Sequence, residues 1–405
     1  MRIKTKKKII MASIIIFVTV LTIFLITTVY NNWRIANAKI IVTLHDNLEV
    51  LVHEKVTIST FIKSMNGKLI KDSKIDTTKI GKKEVSFKYI NDDNIEVPYS
   101  FTINIVDKTP PLIYSSSNLT LTKDYTGNIE QELFCGDNYD DQPTCEIEGT
   151  YDVATPGTYP VTFKGTDSSG NVSTQPINII VKEPTPPTNN SKPTPPVTQA
   201  FSDLVSTYKK DNTKIGIDVS HWQGDIDFQQ VKDAGVEFAF IRVGSQRGIG
   251  GDYFVDQKFE QNIKGFKKVG IPVGVYFYSY ANSKLAAKVE AEWVVEQLKD
   301  YKLDLPVVFD WENCSFYQEF NLSFYNLTEM AKSYLKVVEK AGYKGMLYSS
   351  KNYLETVWYQ TDYPVWLAHY TKETNYQGNY QVWQLCSNGQ VPGIKGNVDI
   401  NVMYE

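Results

Sequence analysis

The sequence predicts a multidomain protein that ends in a shortened, TIM-like α/β barrel, and three observations support this. A strongly apolar segment near the N-terminus predicts a transmembrane helix. Short runs of alternating apolar and polar residues fill the next part of the chain and predict two all-β modules. After residue 213, apolar strands alternate with amphipathic segments, which is the pattern of a parallel α/β barrel.

The N-terminal segment is basic at first and apolar afterwards. Residues 1–8 include five Lys or Arg, and residues 9–30 provide the roughly 20 apolar positions that a membrane-spanning helix needs. Because basic flanks stay in the cytoplasm, we expect a cytoplasmic tail over 1–8, a signal anchor over 9–30 and an extracellular remainder. The alternative is a secreted protein cleaved near Ala38, since Ala36-Asn37-Ala38 has the form of a signal-peptidase site.

The charge composition is balanced, with 42 Lys and Arg against 46 Asp and Glu and a net charge of -4. Nothing in it predicts a nucleic-acid partner. The four histidines are scattered and show no metal-ligand spacing, so the sequence predicts neither a metal nor a cofactor. Of the four cysteines, Cys135 and Cys145 could bridge across a loop, while Cys314 and Cys386 are expected to be free thiols.

The all-β region contains two copies of one pattern at a constant offset of 76 residues. Asp76, Gly81, Val85, Phe87 and Lys88 correspond to Asp152, Gly157, Val161, Phe163 and Lys164. This predicts modules over 39–107 and 108–182. The second copy, with its turn Asp167-Ser168-Ser169-Gly170-Asn171, resembles bacterial immunoglobulin-like (Ig-like) modules, and the first copy lacks that turn. The modules are expected to be sandwiches that act as structural spacers or bind the wall or a partner. A proline-rich linker is predicted over 183–200.

Eight apolar runs predict the strands of the barrel. They lie at 215–220, 238–243, 272–278, 305–311, 345–350, 364–370, 380–386 and 398–403. Amphipathic segments at 254–269 and 283–298 are long enough for crossover helices. The strand region is shorter than the roughly 250 residues of a full eightfold barrel, which predicts a truncated one.

Barrel active sites lie at the C-terminal ends of strands, where this sequence places four acids. Asp310 and Glu312 end the fourth strand and share a face about 6.7 Å apart, because alternate strand residues point to the same side. Such a pair is typical of glycosidases, although a solvated rim also fits. Asp218 ends the first strand, and Asp399 joins the site if the last strand closes against the first. Aromatic residues at the other strand ends could contact sugar or pack the barrel: Tyr278, Tyr348, Trp366 and Tyr370.

Five separated motifs identify the region 213–405 more closely. They are Gly216-Ile217-Asp218-Val219-Ser220-His221-Trp222-Gln223-Gly224, Asp310-x-Glu312, Trp366-Leu367-Ala368-His369-Tyr370, Trp383-Gln384 and Gly396-Asn397-Val398-Asp399-Ile400-Asn401. In this order they resemble the glycoside hydrolase family 25 muramidases. The resemblance implies hydrolysis of the β-1,4 bond between N-acetylmuramic acid and N-acetylglucosamine in peptidoglycan, on a barrel of five β/α units and three further strands.

The resemblance also implies a role for each acid. Glu312 becomes the general acid/base, Asp310 its partner, and Asp218 and Asp399 further site acids. We expect Asp310 to orient the substrate acetamido group, which attacks in place of an enzyme nucleophile, with direct attack by water as the alternative. Like charges around Glu312 are expected to raise its pKa. The substrate-binding residues are expected to be Tyr278, Tyr348, Trp366, Tyr370 and Gln384. His221 is expected to be structural.

The sequence thus predicts a membrane-tethered enzyme with a monomeric catalytic domain that cuts peptidoglycan glycan strands outside the cell. The alternative is a catalytically silent surface protein that binds or scaffolds cell-wall glycan.

Overall fold

The structure is a computed structural model that describes residues 2–184, 197–312, 320–359 and 361–405, with side chains for all of these except 2–16 and 131. Most of the predicted linker (185–196) and Cys314 lie outside the described residues. The chain divides into two compact units, Met1–Lys108 and Thr109–Glu405.

The first unit contains one long helix and one all-β module. Helix α1 runs from Arg2 to Ala36 and includes the predicted apolar segment. Among the described residues, no helix reaches the length and apolar composition that crossing a membrane requires. The strands of the module are β1 (Val42–Leu44), β2 (Glu49–Leu51), β3 (Val56–Thr57), β4 (Ile62–Met65), β5 (Gly67–Leu69), β6 (Lys74–Ile75), β7 (Gly81–Asn91) and β8 (Glu96–Val106). Its main sheet has the order β2-β8-β7-β5, and β2 is parallel to β8.

The second unit begins with a module of the same design. Its strands are β9 (Leu112–Tyr114), β10 (Asn118–Thr122), β11 (Phe134–Gly136), β12 (Thr144–Glu148), β13 (Gly157–Thr166) and β14 (Val172–Lys182). The main sheet has the order β10-β14-β13-β12, and β10 is parallel to β14. Strands β13 and β14 begin 76 residues after β7 and β8, which confirms the repeat. Cys135 and Cys145 form a disulfide, with their Cα atoms 6.3 Å apart.

The rest of the second unit is a closed barrel. Its strands are β15 (Gln199–Ala200), β16 (Thr213–Val219), β17 (Phe238–Gln246), β18 (Tyr253–Val255), β19 (Val273–Tyr278), β20 (Val307–Asp310), β21 (Gly345–Ser350), β22 (Val365–Ala368), β23 (Val382–Gln390) and β24 (Val398–Tyr404). Its helices are α2 (Phe201–Tyr208), α3 (Phe228–Asp233), α4 (Phe259–Lys268), α5 (Lys284–Leu298), α6 (Phe324–Lys340) and α7 (Lys351–Thr356).

The strand pairings match the expected barrel. Strands β16, β17, β19, β20, β21, β22 and β23 are parallel neighbours, and β24 pairs antiparallel with both β23 and β16. Helices α3 to α7 follow the first five of these strands, whereas the described residues around β22, β23 and β24 form no crossover helices. Five β/α units and three further strands are therefore present.

Two predicted boundaries differ from the structure. Strand β15 pairs with β23, and α2 buries Phe201 and Leu204 in the barrel core, so the barrel begins at Gln199 rather than at 213. The helix predicted over 254–269 begins only at Phe259, because β18 first pairs with β17. Both deviations arise because a short segment is fixed by the strand with which it pairs, the distant β23 for β15 and the preceding β17 for β18.

Strand residues alternate between the barrel interior and the surrounding helices. On β20, Val308 faces the interior, whereas Phe309 packs in the layer between sheet and helices. Trp311 belongs to the same outer layer as Phe309. This alternation turns the flanking Asp310 and Glu312 toward the interior end of the barrel.

Candidate active site

A cleft of about 220 Å³ opens at the C-terminal ends of the barrel strands. Its lining side chains are Asp218, Ser220, Trp222, Gln223, Arg242, Tyr276, Tyr278, Asp310, Glu312, Tyr348, Trp366, Tyr370, Gln384 and Asp399. All nine side chains singled out in the sequence lie in this one cleft. The closure of β24 against β16 brings in Asp399, as the sequence pattern required.

Trp311 fixes the direction in which the two acids of the fourth strand point. Its side chain is fully buried, with ring centroids 5.2 Å from Phe320 and 6.0 Å from Trp358. Asp310 is buried in register with Tyr278 of β19 and Tyr348 of β21, and Glu312 follows just past the strand end with an exposed side chain. The indole therefore anchors the strand end from behind while both carboxyls face the cleft.

Asp310 and Glu312 form a hydrogen-bonded carboxyl pair. Burial and the neighbouring Glu312 carboxylate raise the pKa of Asp310 well above its usual range. Loss of surrounding water also raises the pKa of Glu312, and the hydrogen bond that it accepts from Asp310 opposes this rise. The pair thus holds one proton between two oxygens, and burial favours its residence on Asp310 in the ligand-free cleft.

Asp218 accepts two hydrogen bonds from buried amides. Gln384 Nε2 lies 2.9 Å and Asn401 Nδ2 lies 2.8 Å from Oδ2 of Asp218. Burial raises the pKa of Asp218 to about 6, although both hydrogen bonds favour the ionised form. Asn401 was not among the predicted site residues, even though it ends one of the recognised motifs.

Three aromatic side chains orient these amides. The hydroxyls of Tyr348 and Tyr370 donate to Oε1 of Gln384 at 2.8 and 3.0 Å. The indole of Trp366 donates to Oδ1 of Asn401 at 2.8 Å. Because each amide oxygen is occupied in this way, each NH₂ group faces Asp218. The network holds Asp218 in place as an acceptor.

Asp399 lies directly opposite Asp218 across the β16–β24 pairing. Burial, with the nearby Asp218 and Glu312 carboxylates, raises the pKa of Asp399 to about 8. Four carboxyls thus share one small cleft, and mutual repulsion keeps them from all being ionised at neutral pH.

The aromatic residues at the mouth differ in exposure. Trp366 is 1% exposed and stacks on Phe240, and Tyr348 is 6% exposed. The barrel core covers most of the surface of these two residues, but both line the cleft, and their contact with sugar stays a prediction. Tyr370 is 57% exposed and Tyr278 is half-buried, so both can meet a ligand.

Trp222 is an exposed aromatic residue that the sequence reasoning did not assign. It is 76% exposed at the rim of the cleft and lies in a short 3-10 turn after β16. The turn is braced by Asp256, which accepts hydrogen bonds from the backbone of His221 at 3.1 Å and from Arg242 at 2.8 Å. Trp222 stands within a recognised motif, but a turn has no alternation that would have revealed its exposure. Nδ1 of His221 lies 3.2 Å from Oδ2 of Asp256, and the structural role of His221 stays a prediction.

In the described part of the barrel, no three carboxylate, imidazole or thiolate ligand atoms lie within 4.8 Å of one another. The arrangement instead provides a shared proton, two further carboxyls and exposed aromatic faces, which suits acid–base chemistry on a sugar.

Comparison with known proteins agrees with this chemistry. The model of the family "Glycosyl hydrolases family 25" matches residues 217–394. Uncharacterized protein YegX of Escherichia coli O157:H7 is 34% identical over 197 residues, which are 46% of this chain and 68% of that protein. The autolytic lysozyme of Clostridium acetobutylicum is 26% identical over 193 residues, 47% of this chain and 56% of the relative. Lysozyme M1 of Streptomyces globisporus is 29% identical over 205 residues, 46% of this chain and 66% of the relative.

Proposed function

Because this chain belongs to family 25 of the glycosyl hydrolases and is a peptidoglycan hydrolase of the muramidase type, we propose that it cleaves the β-1,4 bond between N-acetylmuramic acid and N-acetylglucosamine. The observation that carries the proposal is the hydrogen-bonded pair of Asp310 and Glu312 at the cleft mouth, with Asp218 and Asp399 beside it.

Glu312 is the general acid/base of the proposed reaction. Its side chain is the more exposed member of the pair, so it can reach the glycosidic oxygen of a bound strand. The proton shared with Asp310 is available for that oxygen. As positive charge develops on the sugar, ionised Asp310 is favoured and the proton passes through Glu312 to the leaving group.

Asp310 acts on the acetamido group of the substrate. Its Oδ1 has no hydrogen-bond partner among the described residues, which leaves acceptor capacity for the acetamido N–H. The acetamido oxygen then attacks the anomeric carbon, and the negative charge of Asp310 stabilises the cyclic cation that forms. This route needs no enzyme nucleophile and retains the anomeric configuration.

The remaining side chains hold the glycan. Asp218 supplies negative charge next to the reacting sugar, Asp399 lies opposite it, and Gln384 positions Asp218. Tyr278, Tyr370 and Trp222 offer aromatic surface for sugar rings.

The enzyme acts outside the cell while α1 holds it at the membrane. The order of basic residues followed by apolar ones supports this orientation. Large apolar side chains on the described part of α1 are exposed, such as Phe17 at 68% and Trp33 at 61%, and a bilayer would cover them. The two repeated modules are of the Ig-like type, which their common strand order supports. Sequencing of the mature N-terminus tests the anchor, and a start at Lys39 would contradict it.

The bond specificity is tested by digesting purified walls and reducing the products with borohydride before mass spectrometry. We expect reduced N-acetylmuramic acid at the new ends; reduced N-acetylglucosamine would overturn the proposal. NMR of the first-formed anomer tests the route, since an inverted product would exclude substrate assistance. Walls with N-deacetylated muramic acid are the matched control, and they should resist cleavage because the attacking acetamido group is absent.

A further inference from the structure

The second all-β module contacts the barrel close to the acid pair. Asp141 lies between β11 and β12. We call residues 134–145 the bridged loop, because the disulfide between Cys135 and Cys145 links its two ends. Oδ1 of Asp141 accepts hydrogen bonds from the backbone N–H of Ser323 at 2.7 Å and from Nδ2 of Asn326 at 2.8 Å. Ser323 is the N-cap of α6, where backbone N–H groups lack partners within the helix. A carboxylate at this end also complements the helix dipole.

Other atoms of the bridged loop contact the same helix start. The carbonyl of Asp137 accepts a hydrogen bond from the N–H of Phe324 at 2.8 Å. The ring of Phe134 stacks on that of Phe324, with centroids 6.2 Å apart and planes 10° from parallel. Gln142 donates to Oδ1 of Asn321 at 2.7 Å. Polar and apolar contacts together therefore fix the residues just before and at the start of α6.

The bridged loop is itself well braced. Oδ1 of Asp137 accepts the backbone N–H groups of Tyr139 and Asp140 at 2.8 and 2.7 Å. The carboxylate of Asp140 accepts the N–H and the hydroxyl of Ser168 at 2.5 and 2.7 Å, inside the module. A loop held in this way presents Asp141 in one position.

A short path of packed side chains leads from this contact to the acids. Phe320 precedes the residues that the bridged loop contacts, and its ring lies 5.2 Å from the ring of Trp311. Trp311 is fully buried, and it stands between Asp310 and Glu312 in the sequence. A shift of Phe320 would therefore displace Trp311, the side chain that sets the direction of both carboxyls.

We propose that the second module is part of the catalytic unit, and that Asp141 is a positioning residue that holds the Asp310–Glu312 pair through the start of α6 and Phe320. The inference rests on the proposed function of that pair. It assigns to this module a role other than that of a spacer.

The test compares three variants of the full chain in steady-state wall digestion. Asp141→Ala should lower kcat about tenfold with KM nearly unchanged, since a small displacement of reacting groups slows chemistry without removing substrate contacts. Asp141→Asn should restore most of kcat, because its amide oxygen can accept both hydrogen bonds. Asp152→Ala is the control, since the exposed Asp152 carboxylate accepts hydrogen bonds from Ala154 and Thr155 of the same module, outside the bridged loop, and it should resemble the wild type. The bell-shaped pH profile of kcat should move for Asp141→Ala alone.

Hydrogen exchange of residues 320–326 supplies a readout that does not depend on activity. Their amides should exchange faster in Asp141→Ala than in Asp152→Ala. Faster exchange with unchanged kcat and pH profile, or no difference between the two alanine variants, would overturn the proposal. If Asp141→Ala does not fold, Asn326→Ala replaces it, because this variant removes the hydrogen bond from Asn326 to Asp141 from the barrel side. The same outcomes then support or overturn the proposal. An inactive wild type would refute the proposed function, while hydrogen exchange would still show whether the module stabilises the start of α6.

Discussion

Asp218→Asn should stabilise the barrel while it removes a carboxylate that the proposed reaction uses. Asp218 is 6% exposed, and burial raises its pKa from 3.8 to about 6. Asn is the matched replacement, because its carbonyl oxygen can still accept the hydrogen bonds from Gln384 and Asn401. The substitution thus removes a buried charge without leaving these two amides unpaired.

The magnitude follows from the shift in pKa. A rise from 3.8 to about 6 corresponds to a cost of about 3 kcal/mol at 1.36 kcal/mol per unit. A carboxyl whose pKa is raised by folding destabilises fully above its folded pKa, and not at all below its unfolded pKa, where both states are protonated. The gain should therefore be complete above pH 6 and vanish near pH 4. Because an amide oxygen accepts weaker hydrogen bonds, we expect about 1–2 kcal/mol, or roughly 2–8 °C.

Differential scanning calorimetry at about pH 7.5 and about pH 4 measures this effect. Asp203→Asn, which changes an exposed carboxylate on α2, is the control and should leave the melting temperature unchanged at both pH values. Wall digestion by Asp218→Asn should fall in parallel. A variant no more stable than the wild type at the higher pH, or equally stabilised at both, would refute the electrostatic reasoning.

Three further substitutions probe the cleft and the second module. Trp222→Ala should raise KM for glycan fragments about 3- to 10-fold with little change in kcat, because an exposed aromatic face is lost. Trp222→Phe, which keeps an aromatic ring, is the control. An unchanged KM for Trp222→Ala would exclude stacking. Tyr348→Phe should lower kcat/KM about 3- to 10-fold, since one of two hydroxyls that orient Gln384 is removed; kinetics indistinguishable from wild type would count against the amide network. Replacing Cys135 and Cys145 by Ser should destabilise the module by about 2–3 kcal/mol, because closing a short loop restricts the unfolded chain; equal urea midpoints would contradict this.

The barrel was predictable where its strands are long and apolar. Buried parallel strands such as β19 and β22 are continuous apolar runs, and their order follows the sequence. Strand β15 was missed because Gln199 and Ala200 carry no apolar pattern, and only the distant β23 makes them a strand. Helix α2 (Phe201–Tyr208) follows β15 and falls between the predicted linker, which ends at 200, and the predicted barrel, which begins at 213.

The acids of the site were predictable because strand ends are readable in the sequence. Asn401 was missed because its role depends on the closure of β24 against β16, a pairing between opposite ends of the domain. The exposure of Trp222 and the covering of Trp366 are outcomes of three-dimensional packing. The hydrogen bonds from Ser323 and Asn326 to Asp141 join polar surfaces that are far apart in sequence. Neither surface has a sequence pattern that reveals its partner.

In the proposed mechanism, Glu312 donates the proton to the leaving oxygen and Asp310 stabilises the positive charge that develops on the sugar. Muropeptide release from purified walls by the wild type, Glu312→Gln and Asp310→Asn tests this assignment directly, with wall binding and melting temperature measured alongside. We expect Glu312→Gln to fold and bind walls but to release products about 10²- to 10⁴-fold more slowly, because the amide cannot protonate the leaving oxygen. Release by Glu312→Gln at the wild-type rate would contradict the account.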